Sequence, residues 1–284
     1  MTPPPPDAAP PTPGEQLQHF TVHHDGVTIP VTRGGGRGRT LVLCPGLCST
    51  QADLHELITL LRHDHDVVTF DHRGHGLTSA GGGYTFDAFL GDFTAVMAAV
   101  MTVPEHPRPA EPPVLVGYSL GADLAVHHTA ASPGSVAGLV IVDGANPVPG
   151  PFVTEADLAD FRAMADATRR EAERFRGTPR RVLLTTEDIL ELQRETDRVR
   201  AVLLDRYREI EHPVSLIMST TLAGDRAEGR APHYNHLWRT GVARLVRERP
   251  GTSVNWFDAD HRLVFTHARQ IAQTVRASLT RMSA

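Results

Sequence analysis

Short apolar runs alternate with amphipathic segments along most of the chain. Segments in which apolar residues recur every three or four positions, such as Leu54, Leu57, Ile58 and Leu61, are predicted to be helices. The apolar runs are predicted to be buried strands, at residues 40–44, 67–70, 136–142, 213–219 and 253–257 and in the run that begins at residue 114. Strands that alternate with helices are typical of an α/β fold, in which helices cover both faces of a mostly parallel sheet.

The beginning of the chain follows a different pattern. Apolar and polar residues alternate at 19–24 and 27–32, on either side of Asp25-Gly26, which predicts a β-hairpin with a tight turn. The glycine-rich residues 33–39 that follow are expected to form a flexible turn.

Two stretches interrupt the alternation and suggest domain boundaries. Residues 1–14 are rich in proline and lack apolar periodicity, so they are expected to be a disordered tail. Between residues 151 and 212 the chain becomes charged and helical, with few apolar positions. We therefore expect a core built from residues 15–150 and 213–284, and a helical cap formed by residues 151–212.

The composition is that of an ordinary globular protein. The 284 residues are 40% hydrophobic and 21% charged, and the formal net charge is −5. Nothing in this balance attracts nucleic acid or an anionic membrane, so the expected partner is a small-molecule substrate and the oligomeric state stays open. The sequence has no run long enough to span a membrane and no signal sequence, so a cytoplasmic location is expected.

Residue usage also excludes several kinds of cofactor chemistry. All 28 basic residues are arginines, which excludes a lysine Schiff base with pyridoxal phosphate and the lysine of a phosphate-binding P-loop. Cys44 and Cys48 are the only cysteines, and without a second pair their spacing is a poor zinc site. We therefore expect neither a cofactor nor a metal.

A candidate nucleophile lies where an apolar run ends and a helical pattern begins, in Gly117-Tyr118-Ser119-Leu120-Gly121. This is the G-x-S-x-G pattern of a nucleophile elbow, a sharp turn that exposes a serine hydroxyl at the N-terminus of a helix. Side chains at the flanking positions would collide with so tight a turn, which explains the two glycines. Ser119 is therefore predicted to be the nucleophile.

With this elbow, the chain resembles the α/β-hydrolase superfamily from about residue 19 to residue 280. The other motifs that carry the resemblance are Leu43-Cys44-Pro45-Gly46, Asp71-His72-Arg73-Gly74-His75-Gly76 and Asp260-His261. The resemblance implies an eight-stranded, mostly parallel sheet, a cap over the active site, and hydrolysis of an ester, thioester, amide or lactone. Haloalkane dehalogenases and epoxide hydrolases of this superfamily carry aspartate at the elbow, so Ser119 argues against both reactions.

The resemblance also implies the other members of the site. The base comes from the loop after the last strand, where this chain has His261. The oxyanion hole uses the backbone N–H groups of Leu47 and of Leu120, the residue after the nucleophile. Cys48 and Tyr118 are expected to face the substrate pocket.

Two carboxylates compete for the third position of the triad. Many relatives carry the acid after the strand that corresponds to residues 213–219, where Asp225 is the candidate, although its loop is longer than usual. Other relatives carry it directly after the preceding strand, where this chain has Asp143. Both satisfy the order serine, acid, histidine. Asp143 is the preferred acid and Asp225 the alternative.

These residues together predict a cofactor-free serine hydrolase. It would cleave an ester, thioester or lactone of a small, largely apolar substrate through an acyl-Ser119 intermediate. Two alternatives stay open because one fold hosts many reactions. One is a ligand-binding protein with a vestigial triad, and the other is a non-hydrolytic or carbon–carbon bond reaction run by the same triad.

Overall fold

A computed structural model of the chain describes residues 17–102, 111–225 and 229–282. The tail expected at residues 1–14 lies outside these residues. The strands are β1 Gln18–His24, β2 Val27–Gly35, β3 Thr40–Cys44, β4 Asp66–Phe70, β5 Val114–Tyr118, β6 Gly138–Val142, β7 Val214–Ser219 and β8 Ser253–Phe257.

The strands form a single eight-stranded sheet in the order β1-β2-β4-β3-β5-β6-β7-β8. β1 with β2 and β2 with β4 are antiparallel pairs, and the remaining pairs are parallel. The predicted sheet and the predicted hairpin around Asp25-Gly26 are therefore confirmed. The turn expected at residues 33–39 is partly wrong, because β2 continues to Gly35 and pairs with β4. A Cβ on Gly35 would lie 2.3 Å from the His65 carbonyl oxygen, so glycine permits this close approach.

Helices cover both faces of the sheet. In the described part of the chain, the helices are α1 His55–Arg62, α2 Phe86–Thr102, α3 Leu120–Ala131, α4 Leu158–Glu173, α5 Thr186–Arg200, α6 Leu203–Glu209, α7 Ala231–Glu248, α8 Leu263–Thr266 and α9 Ala268–Met282. Helices α1, α8 and α9 pack on one face, and α2, α3 and α7 pack on the other. Of the helices in the described part of the chain, none combines the length and apolar character needed to cross a membrane.

The central strands are apolar throughout because each is buried on both sides. Successive side chains of a strand point to opposite faces of the sheet. In β3, Leu41 and Leu43 join the core beneath α1 and α9, whereas Val42 and Cys44 join the core beneath α2 and α3. This double burial explains why the strands read as continuous apolar runs in the sequence.

Helices α4, α5 and α6 are inserted between β6 and β7 and contact the core at several points. At the C-terminal end of α5, the Arg200 guanidinium donates two hydrogen bonds to the Asp123 carboxylate of α3, at 3.0 and 2.7 Å. Before α5, the Leu183 N–H donates to the Gly74 carbonyl at 2.8 Å. The insertion is thus attached both to the helix that follows the elbow and to the loop that follows β4.

Candidate active site

Ser119 occupies a strained turn between β5 and α3. Its backbone has φ 52° and ψ −120°, a combination that costs a non-glycine residue about 1–3 kcal/mol. A Cβ on Gly117 would lie 2.6 Å from the Gly121 carbonyl oxygen, and one on Gly121 would lie 2.2 Å from that of Cys44. The two glycines therefore let the turn close tightly, and the hydroxyl points away from the sheet into a cavity.

His261 lies in the short loop between β8 and α8 and contacts the serine directly. Its Nε2 atom is 2.9 Å from Ser119 Oγ, and its Nδ1 atom is 2.8 Å from Asp143 Oδ2. An ionised carboxylate only accepts hydrogen bonds, so Nδ1 carries the proton and Nε2 offers a lone pair to the serine hydroxyl. The ring also stacks on Tyr118, whose hydroxyl donates to the His261 carbonyl at 2.8 Å, and these contacts fix its orientation.

Asp143 follows β6 and is completely buried, with φ 45°. Its Oδ1 atom accepts hydrogen bonds from the Ser219 N–H at 2.8 Å and from the Trp238 indole N–H at 3.0 Å. The Ser219 hydroxyl lies 2.9 Å from Oδ1 and 2.8 Å from Oδ2. A Cβ on Gly144 would lie 2.4 Å from the Ser119 carbonyl oxygen, so glycine after the acid allows β6 to end beside the elbow.

Asp225, the alternative acid, is exposed in the loop after β7, and among the described residues no hydrogen bond or ion pair joins it to His261. Both ring nitrogens of His261 are already engaged, one by Ser119 and the other by Asp143. The structure thus brings together Ser119, His261 and Asp143 and leaves Asp225 outside the cluster.

The turn after β3 carries a backbone N–H that was expected to bind an oxyanion, that of Leu47. This N–H and that of Leu120 donate to no other group among the described residues. The adjacent Cys48 has φ 59°, and its N–H donates to His75 Nε2 at 3.0 Å. The opposite nitrogen of His75 donates to the Arg73 carbonyl at 2.8 Å. His75 must be neutral to make both bonds, and burial lowers its pKa to about 4.

A cavity of about 470 Å³ opens at Ser119. The insertion contributes many of its lining residues, including Phe152, Phe161, Met164, Ile189 and Gln193. Cys48 lines the cavity, and burial raises the pKa of its thiol to about 12, so the thiolate is scarce at neutral pH.

The expected position of Tyr118 is wrong. Its side chain does not line the cavity but is buried in the core beneath α1 and α9. The physical reason is the period of the strand, because Val114, Val116 and Tyr118 share one face of β5 and that face points away from the insertion.

Sequence reasoning missed several residues that shape the site. Trp238 and Ser219 hold Asp143, and His75 holds the turn at Cys48. Only His75 had a local signal, since it belongs to the motif after β4. Arg200 was missed as well. Burial alone would lower its pKa, but the Asp123 carboxylate raises it above the ordinary value, so the guanidinium stays charged at the cavity wall.

The charged residues near the cavity do not form a metal-binding set. Within residues 17–102, 111–225 and 229–282, no group of three or more His, Cys, Asp or Glu side chains is arranged to hold a metal ion. The carboxylate of Asp143 already accepts hydrogen bonds from His261, Ser219 and Trp238. The arrangement as it stands is suited to proton transfer between a hydroxyl, an imidazole and a carboxylate.

Part of the chain is similar in sequence to a curated protein. One curated relative, N-formylmaleamate deformylase of Pseudomonas putida, is 33% identical over 132 residues, which are 46% of this chain and 46% of the relative. The chain therefore matches about half the length of that relative.

Solved structures match over nearly the whole chain. The crystal structure of E-2-(acetamidomethylene)succinate hydrolase has a TM-score of 0.67 and 19% identity, and the match covers 93% of this chain and 100% of the other. An esterase from Exiguobacterium antarcticum has a TM-score of 0.69 and 14% identity, with 94% and 100% covered. At these identities the two structures show a shared fold.

A family model described as the alpha/beta hydrolase fold matches residues 39–246, which include the elbow, the insertion and most of the sheet. That match spans well over half of the chain, and the strand order and the elbow agree with it. The chain belongs to the alpha/beta hydrolase family.

Proposed function

We propose that this protein is a serine hydrolase that cleaves an ester, thioester or lactone through an acyl-Ser119 intermediate. The observation that carries the proposal is the continuous set of hydrogen bonds from Asp143 through His261 to Ser119, at 2.8 and 2.9 Å. A free serine hydroxyl is a weak nucleophile, and an adjacent histidine held in the correct tautomer activates it. The family match supports a hydrolytic reaction.

The first half of the reaction transfers the acyl group to the enzyme. Ser119 Oγ attacks the carbonyl carbon of the substrate while His261 Nε2 takes the hydroxyl proton. The carbonyl oxygen becomes an oxyanion, which the N–H groups of Leu47 and Leu120 stabilise, and each such donor typically contributes about 3 kcal/mol. His261 then gives its proton to the leaving alcohol or thiol as the bond to the carbonyl carbon breaks.

The second half releases the acyl group to water. His261 takes a proton from a water molecule, whose oxygen attacks the acyl carbon and forms a second oxyanion in the same position. This intermediate collapses, Ser119 Oγ leaves, and the proton returns from the imidazolium to Oγ. The products are a carboxylic acid and the free enzyme. Asp143 stabilises the imidazolium in both halves without taking up its proton.

We further propose that residues 151–212 act as a cap that selects the substrate. Several of their side chains line the cavity, and Phe152, Phe161 and Met164 suit a small, largely apolar acyl group. The relative named as a deformylase of N-formylmaleamate supports testing N-acyl substrates beside esters.

The test is covalent labelling with a small fluorophosphonate, followed by intact-protein mass spectrometry. Ser119 Oγ displaces fluoride and forms a bond to phosphorus, so we expect a single adduct on the wild type and none on Ser119→Ala. Ser132→Ala, at the other end of α3, is the matched control and should be labelled like the wild type. A folded wild type that takes up no adduct would refute the proposal and favour a ligand-binding role.

A further inference from the structure

The ring of His261 stacks on the side chain of Tyr118. The two ring centroids are 5.3 Å apart and the ring planes are inclined by 30°, which is an offset-stacked arrangement. The His261 side chain is 35% exposed and lines the cavity, whereas Tyr118 is buried in the core beneath α1 and α9. The imidazole therefore borders both the cavity and a buried aromatic ring.

The ring of Tyr118 is itself held in place. A Cβ on Gly46 would lie 2.9 Å from Tyr118 Cδ1, so the ring packs closely against the turn after β3. Phe265 packs on it as well, with ring centroids 5.8 Å apart and planes at 86°. The Tyr118 hydroxyl donates to the His261 carbonyl at 2.8 Å, and burial raises the pKa of this hydroxyl, so it stays protonated. The ring thus keeps its position while the charge on its neighbour changes.

His261 changes its charge in each half of the proposed reaction. Its ring becomes an imidazolium when Nε2 takes a proton from Ser119 Oγ or from water. The face of an aromatic ring attracts a cation that lies within about 6 Å of the ring centroid, and the imidazole lies within that distance of Tyr118. Asp143 acts at the edge of the imidazole, on Nδ1, whereas Tyr118 acts on its face. An attraction that grows as the imidazolium forms lowers the barrier.

We propose that Tyr118 is a positioning residue for His261, whose ring favours the imidazolium and whose hydroxyl fixes the loop that carries the histidine. The proton still moves only between Ser119 Oγ, His261 Nε2 and the leaving group or water. The inference rests on the proposed function, since it assigns a role in the same reaction. Because Tyr118 does not line the cavity, its replacement should change the rate and leave substrate binding unaltered.

Other charged groups also lie near the His261 ring. They include Asp143, at 2.8 Å, and the exposed neighbours Asp260 and Arg262 on the same loop. All of these groups are retained in the variants that test the proposal. A difference between the variants therefore reports the ring at position 118.

Two variants of nearly equal shape isolate the face of the ring. One is Tyr118→Phe, and the other carries 3,4,5-trifluorophenylalanine at position 118, introduced by nonsense suppression. Fluorine withdraws electron density from the ring face and weakens its attraction for a cation. Relative to Tyr118→Phe, we expect the fluorinated variant to have a kcat about two- to fivefold lower on p-nitrophenyl acetate. KM should stay within about twofold, because His261 serves both halves of the reaction and both rates fall together.

The pH profile gives a second readout that packing alone would not change. The acidic limb of kcat/KM reports protonation of the base in the free enzyme. In the fluorinated variant this limb should lie about half a pH unit lower than in Tyr118→Phe, because the ring face attracts the imidazolium less. Compared with the wild type, Tyr118→Phe should lower kcat about fivefold through the lost hydrogen bond to the His261 carbonyl.

Tyr207 supplies the matched control. It is also fully buried, and its hydroxyl also donates to a backbone carbonyl, that of Ala145, at 2.9 Å. The same two replacements at position 207 should give equal kcat values and the same acidic limb. Melting temperatures establish that each variant is folded. If trifluorophenylalanine at position 118 prevents folding, 4-fluorophenylalanine makes the same comparison, with about a third of the effect.

The outcomes separate this inference from the proposed function. Equal kcat values and equal acidic limbs in the two ring variants would overturn the inference while leaving the hydrolase proposal intact, and so would a change confined to KM. If the wild type hydrolyses no ester and takes up no fluorophosphonate, the hydrolase proposal fails. The inference is then decided by NMR titration of the His261 ring in the two ring variants, where equal midpoints would refute it.

Discussion

The substitution Asp143→Asn should inactivate the enzyme because of how the new amide has to lie. Two N–H groups, from Ser219 and Trp238, point at Oδ1, whereas Oδ2 meets one, from His261. The amide oxygen of the variant therefore takes the Oδ1 position, where it keeps two hydrogen bonds. The amide NH2 is left facing His261, which has to turn its unprotonated nitrogen toward it.

The size of the effect follows from this preference. Reversing the amide would lose one hydrogen bond and place NH2 against two N–H donors, which costs about 2 kcal/mol or more. In the favoured orientation of the amide, His261 is held with its proton on Nε2, where it cannot accept the hydroxyl proton of Ser119. A triad held in the wrong tautomer loses about four orders of magnitude in kcat, or about 5.5 kcal/mol of transition-state stabilisation.

The assay compares Asp143→Asn with Asp225→Asn on one ester. Asp225 is the other acid that fits the order of the triad, but it is exposed, and the described hydrogen bonds of the His261 ring go to Ser119 and Asp143. We expect kcat to fall about 10⁴-fold in the first variant and to stay within twofold of the wild type in the second. If Asp143→Asn kept a tenth or more of the wild-type kcat, or if Asp225→Asn were the inactive variant, this reasoning would be wrong.

Three further predictions concern the buried side chains around the site. His75→Phe removes the acceptor of the Cys48 N–H, which holds the turn that carries the Leu47 N–H, and should lower kcat by about 10- to 100-fold. His75→Gln can still accept this hydrogen bond and should recover much of the lost kcat. Equal losses of kcat in both variants would contradict the idea that His75 positions the turn. Burial lowers the pKa of His72 to about 3 and that of His75 to about 4, so the unfolded chain takes up protons near pH 6.5 that the native protein does not. The free energy of unfolding should therefore fall as the pH drops from about 6.5 toward 4, by an amount on the order of 3 kcal/mol for His75. Urea titrations at several pH values measure this free energy. A free energy of unfolding that does not change between these pH values would contradict the prediction. Burial raises the pKa of Cys48 to about 12, so iodoacetamide at pH 8 should not modify it in the native protein, and rapid alkylation before unfolding would contradict this.

The sheet and the elbow could be predicted because their signals are local. A strand buried on both faces is apolar at every position, so β3 and β5 could be located from short runs alone. The elbow needs small residues within two positions of Ser119, and Gly117 and Gly121 meet that need inside one five-residue pattern. In both cases the physical constraint and the residues that satisfy it lie within a few positions of each other.

The choice of acid could not be settled in this way, because it depends on which strands are neighbours. β6 lies between β5 and β7, so the end of β6 lies beside the elbow. Asp143 reaches His261 across a sequence separation of 118 residues, and its other partners, Ser219 and Trp238, are 76 and 95 residues away. No local pattern near Asp143 or Asp225 carries that information.

The same argument explains why Ser119 and His261 could be singled out from the sequence, whereas the residues that line the cavity could not. Ser119, Asp143 and His261 follow the carboxyl ends of parallel strands, and the ends of those strands can be located in the sequence. The polar face of α5 becomes a cavity wall only because the insertion docks on α3 through Arg200 and Asp123, which are 77 residues apart. In the sequence alone, an arginine or glutamine of this charged helix cannot be distinguished from a residue that faces solvent, because the docking of the helix on α3 is not known. Under the proposal that the insertion selects the substrate, substitutions in the insertion are expected to change selectivity without disturbing Ser119, His261 or Asp143.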